Sequence, residues 1–256
     1  MQTVDERLKD RVAIVTGGAR GIGASFCEAL AAAGAKVVVA DILDGNPLAE
    51  RICRTGATAI YRRADVTEKS SVDALVADAL REFETIDILV NNAGLFADLA
   101  KTPFQDISSA EWDRVMAVNV RGSFECAKAV APIMIRNNGG RIVNVASGTV
   151  FKGFVGMLHY VSSKGAVVAM TRCLARELGP HKICVNAIAP GLTMSEAVAD
   201  NPEWSGTANS GTVASRAIQR DQVPADLTGT LIYLCSDDSN FVTGQTIAVD
   251  GGSVMR

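Results

Sequence analysis

Histidine is nearly absent from this chain, two in 256 residues, and the six cysteines (27, 53, 126, 173, 184 and 235) form no C-x-x-C pair. A zinc site needs clustered thiolate and imidazole ligands, so no metal is expected. Scattered thiols of this kind read as reduced, buried small hydrophobes. No basic run disturbs the balance of 25 Lys and Arg against 28 Asp and Glu, a net charge of −3, which argues against nucleic acid as the main partner. No uninterrupted apolar stretch approaches the roughly 18 residues of a membrane span. The opening MQTVDERLKDR lacks the apolar core of a secretory signal. Repeats, low-complexity tracts and linkers are missing as well. These absences point to a soluble, cytoplasmic protein, and the length fits one α/β domain spanning 1–256.

What the chain does have is a rhythm. Short apolar runs recur as RVAIVT from 11, AKVVVAD from 35, TAIYRRAD from 58, IDILVNNAG from 86, RIVNVAS from 141, ICVNAIAPG from 183 and QTIAVDGG from 245. Most are continuous and rich in Val and Ile, as strands covered on both faces should be. Stretches with helical spacing lie between them, at 22–33, 69–83, 109–137, 160–179 and 224–236. Strand–helix alternation throughout predicts a doubly wound, seven-stranded parallel sheet of the Rossmann kind, with ligands at the carboxyl ends of its strands. The exception is 192–222, which is polar and without a clean period. A segment of that length in a compact domain reads as a substrate lid, the alternative being a disordered insertion.

After the first run comes TGGARGIG, Thr16 to Gly23, followed by a helical pattern. Glycines let backbone N–H groups approach a pyrophosphate at a helix N-terminus. The spacing Gly17-x-x-x-Gly21-x-Gly23 departs from the common G-x-G-x-x-G, and the position at the first strand–helix junction carries the reading. The second run ends at Asp41, where a carboxylate can accept the ribose hydroxyls of NAD and would repel a 2′-phosphate. Arg20, inside the glycine loop, is the residue that could favour NADP instead.

Tyr160 and Lys164 stand four apart at the start of a helical stretch, so their side chains share a face. A phenol ordinarily titrates near pH 10, and a neighbouring cation lowers that, making Tyr160 a candidate general acid/base.

With these residues in place the chain resembles the short-chain dehydrogenase/reductase family over nearly its whole length. Gly17, Gly21 and Gly23 match that family's glycine motif, and Asp65 in ADVT its adenine-side position. NNAG from Asn91 to Gly94, and Pro190, Gly191 and Thr193 in APGLT, match further cofactor segments. Asn119 in AVNV, Ser147 in NVAS, Tyr160 and Lys164 match its catalytic tetrad. Ala146 departs from the second serine of many members, and Cys184 from a common arginine. The resemblance implies cofactor contacts from Gly17, Arg20, Gly21, Ile22, Gly23, Asp41, Asp65, Val66, Asn92, Ala93, Gly94, Tyr160, Lys164, Pro190, Gly191 and Thr193. It implies that Ser147 hydrogen-bonds the substrate oxygen, that Tyr160 moves the proton, and that Asn119 holds a water linking Lys164 to solvent. It further implies a homotetramer paired through the helices at 109–137 and 160–179, with the tail VDGGSVMR near the other interface.

The expected function is NAD-dependent interconversion of a secondary alcohol and its ketone. Leu95, Phe96, Val150, Phe151, Phe154 and Met194, with Trp204, are expected to wall an apolar or aromatic substrate. The ending from Val223 onward is similar to that of (S)-1-phenylethanol dehydrogenase-type members. Two alternatives stand beside this: an NADPH-using 3-oxoacyl-carrier-protein reductase, and a non-catalytic NAD-binding module.

Overall fold

Residues 6–204 and 207–255 are described by a computed structural model of the chain. Every apolar run becomes a strand: β1 (Val12–Thr16), β2 (Lys36–Asp41), β3 (Ala59–Arg63), β4 (Ile88–Asn91), β5 (Gly140–Val145), β6 (Ile183–Pro190) and β7 (Thr246–Val249). They form one parallel sheet in the order β3-β2-β1-β4-β5-β6-β7. The central runs are apolar at consecutive positions because both faces are covered. Ala13 and Val15 face one layer with Phe26 and Leu30 of α1 (Gly21–Ala32), Leu48 and Ile52 of α2 (Asn46–Cys53), and Leu231 of α9 (Ala225–Cys235). Ile14, between them, faces the other layer with Leu75 of α3 (Lys69–Phe83), Met134 of α5 (Ser123–Arg136) and Leu178 of α6 (Leu158–Leu178). Side chains alternate across a strand, so a strand between two helical layers needs apolar residues at every position.

The chain runs outward from β1 to β3 on one side and from β4 to β7 on the other. The crevice between the ends of β1 and β4 is therefore the switch point at which such sheets bind ligands.

Two local features depart from the sequence pattern. The stretch 109–137 is not one helix but α4 (Ser109–Met116) and α5 joined by a π-helical turn, Ala117–Gly122. Gly122 packs where a Cβ would come within 2.6 Å of the Val66 side chain, and Asn119 turns inward to polar partners. The short α2 lacks a long period, although Pro47 at its start and the spacing of Leu48, Ala49 and Ile52 mark it. All six cysteines are free, but Cys53 and Cys173 are exposed, which corrects the reading of buried thiols throughout.

The polar stretch 192–222 contains α7 (Glu196–Ala199) and α8 (Thr207–Ala214). Its two ends are tied by a parallel bridge between Thr193 and Gln222, and Met194 N–H donates to the Gln222 carbonyl at 2.7 Å. Its described residues are an excursion closed at the base rather than an open insertion. Among the described residues, no helix is long and apolar enough to cross a membrane.

Candidate active site

The carboxyl ends of β1, β2, β4, β5 and β6 open into one cleft of about 580 Å³. At the end of β1 the glycine loop adopts left-handed conformations that favour glycine: Gly17 has φ +61° and Gly21 φ +58°. A Cβ on Gly17 would lie 2.8 Å from Ala93 Cα, and one on Gly23 2.0 Å from the Gly17 carbonyl oxygen. The loop is thus pressed onto the NNAG segment and onto α1. Arg20, the residue that precedes α1, makes no side-chain cap, so the first amides of that 12-residue helix face the cleft side without an intrahelical acceptor. Such a helix end suits a phosphate.

Asn92 fastens the neighbouring strand end, its Nδ2 donating to the carbonyls of Thr16 at 3.0 Å and Gly17 at 2.8 Å. The amides of Asn92 and Ala93 both reach Thr16 Oγ1 at 3.1 Å. Asn91 points instead into the sheet and donates to Asn144 Oδ1 at 2.9 Å. Asp41, buried at the end of β2, accepts N–H bonds from Ala19 at 2.9 Å and Leu43 at 3.0 Å. Each oxygen keeps a lone pair for a further donor. Arg20 is half exposed and pairs with Asp98 at 3.7 Å. Asp65 accepts both donors of Thr67, at 2.7 and 2.9 Å, and builds the turn before α3 with Val66 beside it in the cleft wall. At the far end, a Cβ on Gly191 would meet Gln222 Oε1 at 2.7 Å, while Thr193 Oγ1 donates to the Gly191 carbonyl at 3.1 Å. Ile22, Gly94 and Pro190 also line the cleft. These close approaches and the Asp41 carboxylate fit a dinucleotide cofactor, which the glycine loop, Asp41 and the Pro190–Gly191 turn would hold.

The reacting end is built by β5, α6 and the π-helical turn. Ser147 follows β5, and its Oγ accepts from Thr149 Oγ1 at 2.9 Å and from Thr149 N at 3.3 Å. Tyr160 and Lys164 lie on one face of α6, with the Lys164 Nζ 5.9 Å from the Tyr160 ring centre. Lys164 Nζ donates to the Val145 carbonyl at the end of β5, at 2.7 Å. All three are buried. Burial pushes the Tyr160 phenol up to about 12, opposed by its hydrogen bond to Ser147. Burial pushes the Lys164 ammonium down to about 8. In the protein without cofactor, burial is the largest influence on the phenol and Ser147 opposes it. Asn119 is fully buried, taking the Leu95 N–H at 2.8 Å on Oδ1 and donating to Ser163 Oγ at 2.9 Å. A Cβ on Gly94 would sit 3.3 Å from Asn119 Oδ1 and 3.4 Å from Lys164 Nζ, so Gly94 is what lets both reach the same spot.

One wall beyond Tyr160 is aromatic. Phe96 lies 5.0 Å from Tyr160 and 4.6 Å from Trp204, and Phe154 lies 5.7 Å from Trp204, ring centre to ring centre. Lys101 covers the Trp204 ring with its ammonium 4.4 Å from the centre. Leu95 joins this wall. Val150, Phe151 and Met194 do not line the cleft. The short 3₁₀ turn Gly148–Phe151 carries Val150 and Phe151 onto Ala146, Val167 and Val168, and Met194 packs behind the aromatic wall.

The opposite wall, beside Ser147, is polar and was not anticipated. It holds Thr149, Lys152, Arg216, Asp250 and Ser253. Lys152 Nζ donates to Ser253 Oγ at 2.8 Å, and Arg216 donates to the carbonyls of Leu192 and Arg220 at 2.7 and 2.6 Å. The tail motif VDGG, expected near a subunit interface, brings Asp250 against Gly148 next to Ser147. No local pattern in the sequence connects these segments.

Comparison with known proteins agrees with this geometry. Residues 17–254 match the family model described as Enoyl-(Acyl carrier protein) reductase. The chain is 39% identical to galactitol 2-dehydrogenase of Agrobacterium fabrum, covering 97% of this chain and 99% of that one. It is 37% identical to cyclopentanol dehydrogenase of Comamonas testosteroni, covering 96% and 98%. A solved Sinorhizobium meliloti protein described as a short-chain alcohol dehydrogenase superposes with a TM-score of 0.90 at 36% identity, covering 98% of both chains. With the ordered motifs, the parallel sheet and these relatives together, the chain belongs to the short-chain dehydrogenase/reductase family, whose members named here are dehydrogenases acting on CH–OH groups.

Proposed function

We propose that the protein interconverts a secondary alcohol and its ketone with NAD(H), and that its substrate presents an apolar ring to the Phe96–Trp204 wall. The observation that carries this reading is the burial of Ser147, Tyr160 and Lys164 around one point of a cleft whose other end is Asp41. A bound nicotinamide supplies or accepts the hydride. Ser147 holds the substrate oxygen by a hydrogen bond as charge develops on it. Tyr160 takes the proton from the alcohol or returns it to the ketone. Lys164, held by the Val145 carbonyl, keeps a cation near the phenol, and Asn119 keeps the π-helical turn against Leu95 and Ser163.

Asp41 supports NAD over NADP, because a 2′-phosphate beside its carboxylate meets like charge. Arg20, half exposed and 3.7 Å from Asp98, is the group nearby that would favour NADP instead. The relatives act on a cyclic alcohol in one case and a polyol in another, and the aromatic wall favours the ring. The excursion 192–222 acts as the lid, since Trp204 and Leu192 bring its residues over the site. Exposed Phe104 and Phe124 near α4 and α5, and exposed Phe241 and Met255 at the other end, support a homotetramer. The test is a matrix of NAD⁺ and NADP⁺ against cyclopentanol, 1-phenylethanol, galactitol and a 3-hydroxyacyl thioester. The highest kcat/KM is expected with NAD⁺ and a ring alcohol; a preference for NADP⁺ with the thioester would replace this reading by a carrier-protein reductase.

A further inference from the structure

A serine hydroxyl has one proton to donate and two lone pairs to receive. Both lone pairs of Ser147 Oγ are taken by one residue: Thr149 Oγ1 donates at 2.9 Å and the Thr149 amide at 3.3 Å. The amide can only donate, and among the described residues no other acceptor is recorded for the Thr149 hydroxyl. Ser147's own proton is then left for an acceptor other than Thr149, on the cleft side that Ser147 and Tyr160 both line. The preceding residue, Ala146, has no hydroxyl to offer, and its amide is held by the Ile188 carbonyl at 2.7 Å. Thr149 itself lines the cleft.

We propose that Thr149 is a positioning residue of the reaction: it fills the acceptor sites of Ser147 and so commits the Ser147 proton to the substrate oxygen. A hydroxyl without this support turns among three staggered wells, and only some of them serve the substrate. Accepting two hydrogen bonds also polarises Ser147 and strengthens the bond it donates. The alternative is that Thr149 merely closes the short turn after β5. The two roles separate cleanly, because the turn is closed by the amide whereas the hydroxyl is extra.

The inference rests on Ser147 being the group that holds the substrate oxygen, and a double-mutant cycle tests the two ideas separately. Thr149→Val keeps the amide and the branched shape and removes only the hydroxyl. With NAD⁺ and the better of cyclopentanol and 1-phenylethanol, it should lower kcat roughly 5- to 20-fold, the value of one hydrogen bond, with KM within about twofold. Thr149→Ser should restore the rate. In a Ser147→Ala background, Thr149→Val should cost less than about twofold, since its effect passes through Ser147. Melting curves report folding for each variant, and Thr149→Ala serves if the valine variant does not fold. A wild-type kcat in Thr149→Val, or a full loss that persists without Ser147, would overturn the inference while leaving Ser147 in place. A wild-type rate in Ser147→Ala, or no wild-type turnover of either alcohol, would overturn the reading beneath it.

Discussion

Asp41 and Ala19 are joined by a hydrogen bond of 2.9 Å from the Ala19 amide to the carboxylate Oδ2, so the residue proposed to meet the ribose also holds the glycine loop. Under that proposal, cofactor choice and loop geometry are coupled at one side chain. Removing it changes the charge beside the ribose and frees two amides, those of Ala19 and Leu43.

Asp41→Ala is therefore expected to lower kcat/KM with NAD⁺ by at least about tenfold, a little over one hydrogen bond's worth. The ratio of NADP⁺ to NAD⁺ use should rise, and the melting temperature should fall because a buried cap is lost. Steady-state kinetics with both cofactors and a thermal melt check this. Equal use of the two cofactors by the wild type would remove Asp41 as the discriminator.

Tyr160→Phe keeps the ring against Phe96 and removes only the phenol oxygen. Turnover should drop on the order of 10²–10⁴, the range for a lost general acid/base. NADH affinity, followed by fluorescence titration, should stay near that of the wild type. A rate within a few-fold of the wild type would mean that the proton moves elsewhere.

The pH dependence follows from the same phenol. Burial raises Tyr160 to about 12, which favours the protonated form at neutral pH. Oxidation of an alcohol needs the deprotonated phenol as base, and its fraction climbs as pH rises toward that value. Reduction of a ketone needs the protonated form, which is already full. At saturating cofactor and below about pH 8, where Lys164 keeps its charge, kcat/KM for oxidation should increase as pH rises from 6 while reduction stays level. Paired profiles in the two directions decide it; an oxidation rate that is flat with pH would show that bound cofactor and Lys164 outweigh desolvation.

Trp204 and Phe96 form the wall assigned to the substrate's ring. Trp204→Ala should raise KM for 1-phenylethanol roughly tenfold or more, consistent with about 0.5–1.5 kcal/mol for an aromatic pair plus lost apolar burial. Its effect on galactitol should be smaller. An equal loss on both substrates would mean that Trp204 supports the lid rather than the ring.

The oligomer is testable directly. Light scattering at micromolar concentration should give four times the chain mass of 26.9 kDa. Replacing the fully exposed Phe241 with Asp should weaken the assembly without altering the fold, because this side chain has nothing to pack against within the subunit. A monomer mass for the wild type would contradict the assignment.

Sequence alone determined the sheet and the switch point, because both are written in local terms, whereas Ser147 and Asn119 entered as site residues through the family resemblance. Continuous apolar runs mark β1, β4 and β5 as strands between two layers, and the glycines at 17 and 21 mark the turn that takes positive φ after β1. Tyr160 and Lys164 share a face by helical spacing, wherever that helix packs. Only the tertiary structure decided which way the residues after Ser147 turn, and it placed Val150 and Phe151 in a core with Val167 and Val168 rather than in the cleft. It also opened the π-helical turn at Asn119, whose partners Leu95 and Ser163 come from distant segments. The polar wall of Lys152, Arg216 and Asp250 arises the same way, from three stretches that meet only when β5, β6 and β7 lie side by side. Periodicity reports what a residue does to its neighbours along the chain. The facing of a side chain in a turn is set by contacts far away in sequence, and only packing supplies those.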